Sequence, residues 1–374
     1  MKELDPAGNQ RFVIERDTLL SIVEKVVITC RRKMSSSGSN DLPHFFYIRI
    51  DGYGDSIRFA AYNSLRRIEL MTYNVSTHDP FSVGVSASLL YSILKELPPG
   101  ALTIDMRRGF KLSNNTSSFN LDTLLGEYFP TVDDNQNIQW SPVDYAKIFN
   151  AISKVRYCAG DSNNPKPYSR AVCLSKSFFM CTDGFRMSLY PNPDVYPEKD
   201  ICLPVESSMA LNTVFRDAEG MGYVYCDDST LYLSKGGVFL TLRLMATQPP
   251  NFMSVVPRGP STSCSIPREA FKDALSRNMI IAKDGEGLVV VNLAITQEGL
   301  VATSGRGAYT SKEVLPVTYE GADLSIKANL RYILDAVKSI QEDEVVLEIR
   351  GEQLPIVLTD KNGEHRNVIM PIRA

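Results

Sequence analysis

The sequence predicts an α+β protein in which one unit of about 120 residues, two helices on antiparallel sheet, is used three times. The first observation behind this is a set of apolar stripes at i, i+3, i+4, i+7 spacing, each placing its side chains on one helical face. They are Leu19/Ile22/Val23/Val26, Leu90/Ile93/Leu94/Leu97, Tyr145/Ile148/Phe149/Ile152, Leu211/Val214/Phe215/Ala218, Phe271/Ala274/Leu275/Asn278 and Leu330/Ile333/Leu334/Val337. Only the fifth breaks the pattern, with Asn278 at its last place and Met279 beside it. The second observation is register. The first, third and fifth stripes start at 19, 145 and 271, and the others at 90, 211 and 330. Two interleaved series of nearly one period describe a repeat. A chain of 374 residues has room for three such domains.

Residues 1–10 read as a disordered extension. RFVIE (11–15) then reads as a strand entering the first helix, with Asp17 placed to cap it. HFFYIRID and SIRFAAY read as strands joined by a turn at Gly52–Asp55. The second helix, 88–97, stops at Pro98-Pro99-Gly100, and ALTIDMR, FKLSN and SFNLDTL alternate as strands. Phe129-Pro130 and Asp133-Asp134 mark the first boundary, giving a domain over 11–134. The second domain, 135–259, opens with a helix from Pro142 to Val155, followed by the polar loop AGDSNNPKPYS. Its strands AVCLSK and FFMCTDGFRMSLY lead to the fourth helix, and GYVYCD, TLYLSK and VFLTLRL follow. Pro249-Pro250-Asn251-Phe252 marks the second boundary. The third domain, 260–374, has helices in PREAFKDAL and in 325–340, and ends in a strand carrying Val368, Ile369, Met370 and Ile372. An apolar strand so close to a terminus is either packed in a sheet or lines a groove.

Composition narrows the function classes. No apolar run approaches the roughly 18 residues of a membrane span, and the first ten residues lack the apolar core of a signal peptide. A cytoplasmic protein is expected. Seven scattered cysteines without a C-x-x-C pair read as reduced, buried hydrophobes. His44, His78 and His365 stand apart from any cysteine cluster, so no metal or other cofactor is expected. The net charge of −3 is unevenly spread: the six helical windows 16–33, 86–97, 142–156, 206–219, 267–283 and 327–340 hold 17 Lys and Arg against 10 Asp and Glu, leaving 23 against 33 elsewhere. Such segregation suits a protein whose helical surface meets a polyanion.

Catalytic motifs are missing. KGG, GEG and SGRG are isolated glycine pairs without a phosphate-loop lysine, and no histidine stands by a Ser or Cys as a nucleophile's base. Thr182-Asp183-Gly184 reads as a tight turn. A DNA-processing hydrolase on a repeated α+β scaffold would need a constellation that the sequence does not contain. The basic run Arg31-Arg32-Lys33 at a helix end, and Lys166 with Tyr168 in the 160s loop, suit phosphate contact and base stacking.

The stretches VTYEGADLSIKANLRYILDAV (317–337), TDGFRM (182–187), PPNFMSVVPR (249–258) and VIMPIRA (368–374) resemble the bacterial DNA polymerase III beta subunit, the sliding-clamp family, over residues 11–374. That resemblance implies three clamp-type domains and a ring formed by a head-to-tail homodimer around duplex DNA. It implies no catalytic activity, no cofactor and no sequence-specific reading of DNA. Replicative polymerase, clamp loader and repair proteins would dock through short peptide motifs. Their pocket would use Thr182, Gly184, Arg186, Met187, Pro250, Val255, Tyr332, Pro355, Met370, Pro371, Ile372 and Arg373. The dimer would join Phe119 and Leu121 of one protomer to Ile280 and Ile281 of its partner. DNA contacts would fall on Arg31, Arg32, Lys33, Lys166 and Tyr168. Ser88 and Glu206 stand where the family often has basic residues, which keeps a second reading, a diverged paralogue with a non-replicative scaffold role.

Overall fold

A computed structural model describes residues 10–31, 42–107, 109–130, 138–193, 197, 199–217, 220–259, 261–282 and 287–373, with the backbone alone at 74 and 76–78. The extension 1–9, Arg32, Lys33, Asp133, Asp134, Ala218 and Ala374 lie outside these residues. Six α-helices occur among the described residues: α1 (Arg16–Val27), α2 (Ala87–Glu96), α3 (Tyr145–Val155), α4 (Val205–Phe215), α5 (Arg268–Ala282) and α6 (Leu330–Ser339). Each carries at least the first three positions of one of the six stripes. Leu19, Val23 and Val26, Leu90 and Leu94, Leu211 and Val214, Phe271 and Leu275, and Leu330, Ile333 and Val337 are all buried. Asn278 is buried as well, because its amide donates to Ala274 O at 3.0 Å and accepts from Ser311 Oγ at 2.8 Å. A polar side chain is tolerated on a core face once its bonds are made.

Proximity divides the chain into two compact units, Met1–Tyr145 with Glu206–Leu244, and Ala146–Val205 with Met245–Ala374. In the first, Tyr47–Tyr62, Arg66–Ser86, Val238–Arg243, Thr230–Lys235, Gly222–Cys226 and Ser141–Val143 form one antiparallel sheet in that order, with Thr123–Leu125 also on Arg66–Ser86. A four-stranded sheet runs Arg11–Glu15, Ala101–Asp105, Phe110–Ser113, Ser118–Leu121. In the second unit, nine strands follow the order Ile201–Pro204, Ala171–Leu174, Phe178–Thr182, Arg186–Pro191, Arg366–Ile369, Ile356–Asp360, Glu344–Ile349, Thr262–Pro267, Tyr319–Glu320. Four more, Tyr309–Leu315, Gly299–Arg306, Val290–Thr296 and Leu324–Asn329, form a sheet against which α5 packs. Strands from the middle repeat thus extend one sheet in each unit.

Several local expectations change. Asp17 does not cap α1: the cap position is Glu15, which makes no side-chain cap bond, and Asp17 pairs with Arg16 at 2.9 Å. Ser141–Val143 is a strand rather than a first helical turn, and α3 starts at Tyr145. Residues 325–329 likewise belong to a strand, since Ile326 and Ala328 alternate into the core opposite Leu293 and Val291. A period of two wins there, and α6 begins only where Asn329 accepts the Arg331 N–H at 3.0 Å. Pro43–Phe46 is a 3-10 turn, and Tyr47–Tyr62 runs through Gly52–Asp55 as one irregular strand. The last strand ends at Ile369, so Met370 and Ile372 follow it.

Candidate peptide-binding site

The centre of the site is the turn between Phe178–Thr182 and Arg186–Pro191. Gly184 has φ +97°, a conformation natural to glycine. The turn is closed by its own side chains: Thr182 Oγ1 donates to Arg186 O at 2.7 Å, and Asp183 Oδ1 accepts from Phe185 N and Arg186 N at 2.8 and 3.0 Å. It is tied outward at two points. Asn164 Nδ2 donates to Asp183 O at 3.1 Å, bringing the 160s loop alongside, and Met370 N donates to Phe185 O at 2.9 Å, bringing in the C-terminal segment. Arg186–Leu189 pairs with Arg366–Ile369, which aligns Met187 with Val368.

These elements enclose a cavity of about 410 Å³. Eight expected residues line it together: Thr182, Gly184, Arg186, Met187, Pro250, Val255, Pro355 and Met370. Beneath it Met187, Val368 and Phe252 belong to a buried apolar cluster with Ala171, Cys173 and Cys202. Lys166 and Tyr168, read from sequence as phosphate and base contacts, stand in this cavity's wall. Phe185, Asn251, Phe252 and Val368 also line it and were not expected. For Asn251 and Phe252 the signal was adjacency to Pro250; for Phe185 it was an aromatic ring following a turn glycine, here 66% exposed. Pro371, Ile372 and Arg373 do not line the cavity; the Ile372 N–H instead bonds Lys327 O at 2.8 Å.

Arg186 lines the cavity, as expected of a pocket residue, and does more. It is an internal tie, its side chain 12% exposed. Its guanidinium donates to Asp183 Oδ2 at 3.0 Å, to Asp335 Oδ2 on α6 at 2.7 Å and to Tyr157 O at 2.9 Å. It lies 4.3 Å from the ring centroid of Tyr332, which is therefore the support of the arginine. Burial, with the nearby Asp183 charge, raises the Tyr332 phenol above its ordinary pKa. Behind this tie runs a buried polar chain: Tyr157 OH donates to Asn367 Oδ1 at 2.6 Å, and Ser188 Oγ meets His365 Nε2 at 3.0 Å. Burial, reinforced by the Lys154 ammonium, pushes the His365 imidazole down to about 3. A neutral His, an arginine held by three hydrogen bonds and an apolar basin make a pre-organised surface.

Arg31 is exposed in the first unit, its guanidinium 5.5 Å from the Phe45 ring centroid and its N–H bonded to Phe45 O at 2.8 Å. Phe119 and Leu121 are half-buried on Ser118–Leu121, an end strand of its sheet. Ile280 is 77% exposed near the end of α5, and Ile281 is half-buried. Among the described residues no cluster of three metal-ligating side chains occurs, and no helix is long and apolar enough to cross a membrane.

The fold is that of a DNA sliding clamp. A Bacillus subtilis DNA polymerase sliding clamp superposes with a TM-score of 0.89 at 20% identity, covering 98% of this chain and all of that one. The Caulobacter crescentus clamp gives 0.85 at 21% identity, covering 98% of this chain and 100% of its own. A beta sliding clamp from Staphylococcus aureus is 23% identical over 380 aligned positions, 97% of this chain and 99% of the relative. Residues 10–133 match the DNA polymerase III beta subunit N-terminal domain and 253–373 its C-terminal domain. The chain belongs to the DNA polymerase III beta subunit family.

Proposed function

We propose that this protein is the processivity clamp of replication, a non-enzymatic ring that encircles duplex DNA in the cytoplasm and tethers polymerase, clamp loader and repair proteins by short peptides. The observation that carries the reading is the near-complete correspondence with clamps from end to end, joined to an apolar cavity on a rigid turn in the second unit. Relatives named beta sliding clamp favour this over a non-replicative paralogue. Three domains, 11–134, 135–259 and 260–374, would supply helices to the inner surface. Arg31, Arg32 and Lys33 would meet phosphates there without reading bases. The ring would close through Phe119 and Leu121 against Ile280 and Ile281. Two end strands, Ser118–Leu121 and Tyr309–Leu315, offer open edges suited to pairing between protomers.

The test is a fluorescence titration with a labelled peptide carrying one glutamine and two large apolar residues. Wild-type protein binds it, and Met370→Ala weakens binding by about tenfold or more, as loss of a central apolar anchor does. Equal binding by the two proteins would remove the pocket from the proposal.

A further inference from the structure

The pocket does not end at Val255. A second cavity, of about 650 Å³, shares Asn251, Val255 and Pro355 with it and continues along Met253–Arg258 to Leu354. Met253, Val255 and Leu354 are exposed apolar side chains, so the shared wall joins two apolar basins. Charge along them has one sign. Among the described residues that line either cavity, the charged ones are Lys166, Arg186 and Arg258, and none is Asp or Glu. Arg186 is neutralised by Asp183 and Asp335. Lys166 and Arg258 are exposed, and among the described residues neither side chain has an ion-pair or hydrogen-bond partner. Lys166 lines only the first cavity and Arg258 only the second, so they stand in the parts that the cavities do not share. Glu352, two residues before Leu354, lines neither.

We infer that the two cavities form one groove for an extended peptide of a partner protein with acidic residues on both sides of its apolar core. This rests on the peptide-pocket reading above and adds its charge specificity. An apolar core alone would fill the shared basin, while the flanks would meet two cations that nothing else in the described structure neutralises. Exposed pairs of this kind contribute modestly, about two- to fivefold in affinity at each end. They act mainly to exclude basic partners.

Labelled decapeptides sharing one core of a glutamine and two leucines, and flanked by glutamate on the N-terminal side, on the C-terminal side, on both, on neither, or by lysine on both, separate the possibilities. The doubly acidic peptide binds tightest, the lysine peptide weakest, and the spread narrows with added salt. Lys166→Glu removes the preference at one flank and Arg258→Glu at the other. The double variant favours the lysine-flanked peptide, which also shows that it is folded. If all five peptides bind wild-type protein equally, or if the reversals leave the order unchanged, the charge specificity is wrong while the pocket stands. If none binds at all, the pocket reading itself falls.

Discussion

Replacing Arg186 by alanine tests whether the site is held together by one guanidinium. Asp183 is 13% exposed as a side chain, so the substitution would leave a nearly buried carboxylate without its cation. Such losses cost about 3–5 kcal/mol. Two backbone N–H groups still serve Asp183 Oδ1, which argues for the lower end. Asp335, 41% exposed, returns to water at a cost near 0.5 kcal/mol. Loss of the Tyr332 stack adds about 1 kcal/mol. The expected total is about 4.5 kcal/mol, a fall of about two thousandfold in amide protection wherever opening breaks this tie. Hydrogen exchange read on fragments covering 183–191 and 330–337 measures it. Arg186→Lys keeps the charge but not the fork and recovers about half. Adding Asp183→Asn to Arg186→Ala should restore part of the protection by removing the orphaned carboxylate. A loss below about tenfold in Arg186→Ala, or no recovery with Asp183→Asn, would refute the reasoning.

Acid should weaken the second unit through His365. Its folded pKa lies near 3 against about 6.5 unfolded, so the contribution is complete above pH 6.5 and is lost as pH falls towards 3. At pH 5 the loss is about 2 kcal/mol, seen as a denaturation midpoint that falls between pH 7.5 and 5 in wild type and falls less in His365→Gln. His44, also lowered by burial, contributes in the same direction from the first unit and is unchanged by that variant. Light scattering should report a dimer for wild type and monomers for Ile281→Asp. Ile280→Asp, at a site 77% exposed, should do the same without loss of helical circular dichroism. Duplex DNA should bind weakly and without sequence preference, and alanines at Arg31, Arg32 and Lys33 should flatten the salt dependence by up to about three units.

The helical stripes were legible because a period of 3.6 is a local property: Leu330, Ile333, Leu334 and Val337 face the core whatever lies opposite. Errors arose where a helix abuts a strand without a break, at 141–143 and 324–329, since two periods overlap there. The Asp183-Gly184 turn could be read from two residues. The role of Arg186 could not, because Asp335 lies 149 positions away and nothing local distinguishes a tied arginine from a free one. Lys166 and Tyr168 show the same limit. A cation beside an aromatic ring suits phosphate, peptide or solvent alike, and only the bond from Asn164 to Asp183 O reveals that their loop stands at the apolar basin.

The pairing of Arg186–Leu189 with Arg366–Ile369 has a consequence for biosynthesis. The turn that shapes the pocket is made midway through translation, yet its wall waits for Val368 and Met370. A nascent chain grown only to residue 360 would hold Met187 and Phe252 without their cover, exposing apolar surface that chaperones recognise. It would contain every residue that lines the second cavity but lack Val368 and Met370 of the first. On the peptide-pocket proposal, partners would have to wait for a finished chain, and proteins truncated before Arg366 would be silent towards them rather than competing with finished subunits.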